Sequence, residues 1–210
     1  MARRIICKEG DQVYDLGIYN EEFYELAQRE GVAMARWLVP VLRRTFAAHS
    51  MIDVGCGTGY YVKEWDLHAI GLEGSAWGIE HSLTPRRVIR HDLRLPLHSN
   101  ALVSLWKDLV LSFEVAEHIE REFADTYVDT LCALGNSVAI TAATPGQGGT
   151  AHVNEQPHEY WEEKFVRRGF KFDSARHEVL RAAIFAAEDR GDYVTPWLAP
   201  NIQVFRRRGT

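Results

Sequence analysis

The run MIDVGCGTG, residues 51–59, constrains the fold more than any other stretch of the chain. A short, mostly apolar segment followed by glycines at alternate positions describes a buried strand that empties into a tight loop and opens into a helix. Backbone N–H groups at such a turn can approach a ligand closely. Asp53 sits in that strand just before the glycines, where a carboxylate can orient the loop or reach an ammonium group.

Around this turn the chain alternates helix-like and strand-like segments. Residues 21–48 carry Phe23, Leu26, Ala27, Met34, Trp37, Leu38, Val41 and Leu42 near helical spacing. Asn20 before two glutamates is a helix-start signal, whereas Gly31 and Pro40 leave open whether one helix or two follow. After the glycines come a helix to about Asp66, strand-like runs in HAIGLEG and RRVIRHDL, and a fourth run over 109–113. That run is expected to pass at FEVAEHIE directly into a helix reaching about Leu134. NSVAITAATPG gives a fifth strand closed by a Pro-Gly turn, and Pro157 and Gly169 bracket another helix. FKF is strand-like, a mixed alanine-rich segment follows, and NIQVF reads as a terminal edge strand. Strands separated by helices mean a mainly parallel sheet covered on both faces, an α/β fold. The segment 144–157, with Gly146, Gly148 and Gly149, reads as the most mobile loop, at a strand's carboxyl end where open α/β sheets place function.

Composition narrows the class. A chain of 210 residues, 46% hydrophobic and 25% charged, fits one domain over 1–210, with an N-terminal helical cap (1–48) on an α/β core (49–210). The net charge of −5 argues against a general nucleic-acid binder. Cys7, Cys56 and Cys132 are far apart and form no CxxC pair, so neither a disulfide framework nor a structural zinc site is expected, and a reducing, cytoplasmic setting is. No apolar run nears the roughly 20 residues that cross a bilayer, and MARRIICKEGD does not read as a signal peptide.

The glycine turn alone leaves NAD, FAD and S-adenosylmethionine open, and the acids downstream discriminate. Glu73 ends the second strand, where a carboxylate can accept both hydroxyls of a ribose. Asp92 ends the third, in HDL, placed for the exocyclic amine of an adenine with Leu93 as an apolar neighbour. The GxGxG spacing, in place of GxGxxG, further disfavours a nicotinamide cofactor. The succession IDVGCGTG, GLEGS, HDLRLPL and DLVLSFEVAEHI, over 52–119, resembles the class I S-adenosylmethionine-dependent methyltransferases. This resemblance implies a seven-stranded, Rossmann-like sheet whose last strand, NIQVF, is antiparallel. On matching positions it implies Gly55, Cys56 and Gly57 along the methionine part of the cofactor, Glu73 on the ribose, Asp92 and Leu93 on the adenine, and Phe113 near the sulfonium. Cys56 is read as a small turn residue and not as a nucleophile.

Methyl transfer leaves the protein to position the partners, exclude water and, for a hydroxyl acceptor, remove a proton. Attention therefore falls on bases and metal ligands beside Phe113. Glu114, Glu117 and His118 form an E-x-x-E-H pattern expected to lie on one helical face. Together with His152, in GGTAHVNEQP, they resemble the site of metal-assisted O-methyltransferases, including ubiquinone-biosynthesis enzymes and small-RNA 2′-O-methyltransferases, which implies Mg²⁺ or Mn²⁺. The alternative is that Glu117 and His118 brace a helix while His152, with Glu114, acts as a base without metal. His158 is a reserve candidate read as a capping residue, and His91 and His177 are read as solvent-facing or satisfied. Tyr160, Trp161 and Phe165 are read as core, Tyr14, Tyr19, Phe23 and Tyr24 as a lid over the cofactor, and the terminal RRR as exposed charge. The expected function is a methyltransferase, monomeric or homodimeric, acting on an oxygen of a small-molecule or sugar-like acceptor. A metal-assisted RNA 2′-O-methyltransferase and a non-catalytic cofactor-binding partner module remain the alternatives.

Overall fold

The computed structural model describes residues 21–97 and 104–210, with side chains from residue 28 onward. Tyr14, Tyr19 and the side chains of Phe23 and Tyr24, expected to form a lid, lie outside the described residues. Among those residues no helix is long and apolar enough to cross a membrane.

Seven strands form one sheet in the order β3-β2-β1-β4-β5-β7-β6. They are β1 (Met51–Val54), β2 (Ala69–Glu73), β3 (Val88–Arg90), β4 (Leu109–Ser112), β5 (Ser137–Thr141), β6 (Phe170–Phe172) and β7 (Ile202–Arg207). All neighbours pair in parallel except β7, which runs antiparallel to both β5 and β6. The strand order reverses between β1 and β4, the place where such sheets open a crevice at their carboxyl ends. The helices are α1 (Glu21–Phe46), α2 (Tyr60–Trp65), α3 (Ala76–Glu80), α4 (Ala124–Leu134), α5 (His158–Arg167), α6 (Ser174–Asp189) and α7 (Leu198–Asn201).

Strand alternation divides the core into two layers. Met51, Leu109, Leu111, Ala139, Ile202 and Val204 pack against Leu38 and Leu42 of α1, Trp65 of α2, and Leu180 and Ile184 of α6. Ile52, Val54, Val110, Val138, Ile140 and Phe205 face the other way, onto Tyr127 and Leu131 of α4 and Trp161 and Phe165 of α5. Each such fully buried side chain contributes about 1.5–3 kcal/mol, so the core extends over both faces of the sheet. Trp161 and Phe165 are core residues, as their spacing predicts.

α1 is a single helix that runs through both Gly31 and Pro40. Gly31 leaves room for the Tyr60 ring, whose Cζ would lie 2.4 Å from a Cβ at that position. The short α2 is held at its end by side chains: Arg43 donates to the Trp65 carbonyl, stacks 4.8 Å over the Trp65 ring and pairs with Asp66 at 2.6 Å. Arg87 donates to the carbonyls of Val62 and Asp66. Such cationic side chains satisfy the last carbonyls, which have no partner within a helix.

Three segments differ from the sequence reading. NIQVF is interior and not an edge: β7 lies between β5 and β6, and β6 forms the edge. The alanine-rich segment is the regular helix α6, started by an Asp173 side chain that accepts from the Arg176 N–H. Of the terminal arginines Arg208 is exposed, whereas Arg207 donates to Asn136 and to the Cys132 carbonyl, and Arg206 lies 3.4 Å from Asp173.

Candidate active site

The chain turns immediately after β1. Gly55 has φ 80°, and a Cβ there would fall 2.5 Å from the Val115 side chain, so only glycine fits. The N–H groups of Gly55 and Cys56 donate to the Leu72 carbonyl at 2.8 and 3.0 Å, which fixes the turn over the end of β2. Cys56 is buried toward β2, where its Sγ would touch a Cβ on Gly71, and burial pushes its thiol far up. It is a small, inert turn residue.

Glu73 gathers this corner. Its Oε2 accepts the Gly57 N–H at 2.6 Å and its Oε1 accepts the Ser75 N–H at 2.6 Å. Each carboxylate oxygen still has capacity for another donor. Burial raises the Glu73 carboxyl, and the amides of Ser75, Gly57 and Gly74 work against that rise. On the adjacent strand Asp53 pairs in register with Gly71 of β2 and Leu111 of β4. Asp53 is buried, and burial first, then the Glu73 charge, pushes its carboxyl up to about 8. Asp92 lies two residues beyond β3 and is clamped by Arg94, whose N–H and Nε reach Oδ1 at 3.0 and 2.9 Å and whose Nη2 reaches Oδ2 at 2.5 Å. Partial burial raises Asp92, but this pairing outweighs it and holds the carboxyl below its usual value. Leu93 is buried beside it, and Phe113 packs edge-on against Tyr61 with ring centroids 5.7 Å apart.

The E-x-x-E-H segment is not on a regular helix. Glu114 takes the left-handed conformation, φ 54°, which ends β4 abruptly, and its N–H donates to Thr141 Oγ1 at 2.7 Å. Residues Ala116–His118 form a short 3₁₀ turn, and α4 starts only at Ala124. The expected grouping nevertheless arises in part. Ligand-capable atoms of Glu117, His118 and His152 lie within 4.8 Å of one another, and Glu114 stands outside this group. Both carboxylate oxygens of Glu117 are buried without a hydrogen-bond partner. Burial, followed by the Glu114 charge, pushes Glu117 up to about 8, and burial raises Glu114 as well. Burial drives His118 down to about 4, although its Nδ1 lies 3.2 Å from the Ala151 carbonyl.

The segment 144–157 is organised, in contrast to the mobile loop expected. The Glu117 carbonyl accepts the N–H groups of Val153 and Asn154, and the Ala143 carbonyl accepts that of Gln156. Glu155 accepts the N–H groups of Gly146 and Gly148 at 2.8 and 2.7 Å and pairs with His152 Nδ1 at 2.9 Å. Asn201 of α7 donates to the Gln147 side chain at 2.9 Å. Sequence reasoning missed Arg94, Gln147, Glu155 and Asn201; only the spacing of Glu155 three residues after His152 offered a signal. His158 opens α5 with a buried Nε2 that lacks a partner. His91 Nε2 meets the Leu95 carbonyl at 3.1 Å, and burial lowers the His177 imidazole.

No protein-family model and no curated protein matches the sequence. The fold, in contrast, matches many solved structures. Magnesium protoporphyrin IX methyltransferase from Synechocystis PCC 6803, with bound SAH, superposes with a TM-score of 0.64 at 13% identity, over 94% of this chain and 100% of that one. The sugar N-methyltransferase KedS8 from Streptoalloteichus gives 0.62 at 16% identity over 99% of both chains. SAM-bound CalS10, an amino pentose methyltransferase from Micromonospora echinaspora, gives 0.61 at 15% identity over 88% of this chain and 96% of that one. The chain has the Rossmann-like fold that these proteins share, with a seven-stranded, mainly parallel sheet and one antiparallel strand.

Proposed function

We propose that this chain is an S-adenosylmethionine-dependent methyltransferase of the class I type, acting on a small-molecule acceptor through an oxygen, sugar-like acceptors being the leading class. The observation that carries this reading is Glu73. It sits at the tip of β2, tied to the glycine turn through Gly57 and Ser75, with acceptor capacity left for a ribose diol. The fold neighbours crystallised with SAM or SAH support it.

The bound cofactor would supply a methyl group on a sulfonium, transferred by in-line displacement. Gly55, Cys56 and Gly57 would line its methionine part, Asp53 would face the ammonium, and Asp92, shared with Arg94, and Leu93 would hold the adenine. Phe113, braced by Tyr61, would flank the reacting centre and exclude water. Glu114 and His152 are the candidates to take the acceptor's proton. The net charge of −5 opposes RNA as the acceptor.

A second reading is metal assistance, favoured by the convergence of Glu117, His118 and His152. Their fit to a cation rests on the two unpartnered Glu117 oxygens and on His152, whose Nδ1 is engaged by Glu155 so that Nε2 is its ligand atom. Two imidazoles and one carboxylate favour Mn²⁺, Fe²⁺ or Zn²⁺ over Mg²⁺. Such a cation would bind acceptor oxygens and lower their pKa.

Calorimetric titration with S-adenosylhomocysteine, in EDTA and again in Mn²⁺, with NADH as control ligand, tests both readings. Binding of the homocysteine and not of NADH is expected; the reverse result would overturn the methyltransferase reading. A single Mn²⁺ per chain, lost in Glu117→Gln, is expected if metal assistance holds.

A further inference from the structure

A carboxylate that belongs to neither the cofactor corner nor the Glu117 group organises the loop carrying His152. Glu155 uses both of its oxygens: Oε2 accepts the Gly146 N–H, and Oε1 accepts the Gly148 N–H while lying 2.9 Å from His152 Nδ1. A carboxylate has no proton to give in this arrangement, so Nδ1 must be the donor and the neutral ring carries its proton there. The opposite nitrogen, Nε2, then keeps its lone pair. Gly149 adds a steric constraint, because a Cβ at this position would fall 2.4 Å from both Nε2 and Cε1 of His152. The His118 ring meets the His152 ring edge-on with centroids 5.1 Å apart, and His118 Nδ1 contacts the carbonyl of Ala151, the residue before His152. The imidazole is thus held by its partner at Nδ1, by the absence of a side chain at 149 and by a neighbouring ring.

Resting on the methyltransferase reading for the identity of the reaction, we propose that Glu155 is the positioning residue of His152. It fixes the Nδ1–H tautomer and so keeps the Nε2 lone pair available in a ring that clusters with Glu117 and His118, whether that lone pair takes an acceptor proton or a cation. Gly146 and Gly148 supply the amides that hold Glu155, and Gly149 supplies the space for the ring. The glycines of this loop therefore serve to build an imidazole holder. Without Glu155 the ring would be free to turn over and to populate the other tautomer, in which Nε2 carries the proton and can neither accept one nor bind a metal.

The test is nitrogen-15 NMR of the histidine rings in the full chain, treated with EDTA, with the His152 signals identified by their loss in His152→Gln. The wild type is expected to show His152 as the Nδ1–H tautomer. Glu155→Gln, whose amide oxygen still accepts from Nδ1, is expected to keep that pattern, and Glu155→Ala to lose it to a tautomer mixture. Gly149→Ala, which leaves Glu155 intact, is expected to displace the ring and perturb the same signals. Loss of an orienting partner of this kind lowers Mn²⁺ affinity or kcat by about 10–100-fold, with the Gln variant closer to wild type. Binding of S-adenosylhomocysteine should stay within about twofold in all three variants, which shows that they are folded. An unchanged tautomer in Glu155→Ala would overturn the proposal. Failure of the wild type to bind the homocysteine would instead remove the methyltransferase reading, while the tautomer measurement would still decide the role of Glu155.

Discussion

Glu73 does two jobs with one carboxylate. Its oxygens satisfy the amides of Gly57 and Ser75, which stiffens the turn, and they retain capacity for the ribose of a cofactor. Charge-assisted hydrogen bonds of this kind contribute about 1.5–3 kcal/mol. Glu73→Ala is therefore expected to weaken S-adenosylhomocysteine binding by about 10–100-fold, and Glu73→Gln by less, as read by calorimetry. Equal affinity in the Ala variant would remove the ribose from this position. Glu114 poses the opposite case, a residue whose backbone works against stability. A non-glycine residue in the left-handed region costs about 1–2 kcal/mol, and its buried carboxyl adds a desolvation penalty. Glu114→Gly relieves both, so the melting temperature is expected to hold or rise while turnover falls at least about tenfold. A lower melting temperature with normal turnover would mean that Glu114 is a structural residue. Strained, desolvated side chains of this sort concentrate where chemistry is done.

At the level of elements, α2 is the most exposed to a single change because it is only Tyr60–Trp65 and has no side-chain N-cap. Arg43 contributes a carbonyl hydrogen bond, a stacking contact on Trp65 and a half-exposed ion pair with Asp66. The first two are worth about 1 kcal/mol each and the exposed pair little. Arg43→Ala is expected to lower unfolding stability by about 1–2 kcal/mol in urea titrations. The elements that were legible in the sequence are those whose apolar run was itself the signal. β1, β2, β4 and β5 are short continuous runs buried on both faces, and Pro157 and Gly169 bracket α5. The errors arose where the deciding interaction was distant. FEVAEHIE has helical spacing, but the left-handed turn at Glu114, fastened by Thr141 of β5, breaks it. NIQVF alternates apolar and polar residues like an edge strand, yet Ile202, Gln203, Val204 and Phe205 are all buried between β5 and β6. The positions of Glu73 at the end of β2 and of Asp92 just after β3 were readable because apolar runs mark those strands. Glu155 was not, because its partners are two backbone amides and a ring that meet only once the loop is folded.

Over the whole molecule the site works against the fold, and pH exposes the conflict through Asp53. Its folded carboxyl titrates near 8, against an ordinary value of 3.8, because burial and the Glu73 charge disfavour the ionised form. The native state thus binds this proton more tightly than the unfolded chain does. The protonated side chain is tolerated below about pH 4, and between there and about pH 8 stability falls as pH rises, by at most about 1.4 kcal/mol per pH unit for this one group. His118 has the reverse sign: its folded value of about 4 lies below the ordinary 6.5, so its contribution grows as pH rises through that interval and offsets Asp53 there. Above pH 6.5 no such offset remains from His118, and the melting temperature of the free protein is expected to decline toward pH 8. Asp53→Asn, which cannot ionise, is expected to make that decline shallower, the slope that remains belonging chiefly to Glu117, whose carboxyl burial also pushes up to about 8. A cationic ligand reverses the preference of Asp53 for its proton, because the ammonium of the proposed cofactor stabilises the carboxylate. Binding should then release protons near pH 7, and the stabilisation given by S-adenosylmethionine should exceed that given by S-adenosylhomocysteine, which lacks the sulfonium charge. Calorimetry in buffers of different ionisation enthalpy counts those protons. Equal proton counts for the wild type and Asp53→Asn would show that the ligand's positive charge is met elsewhere than at β1.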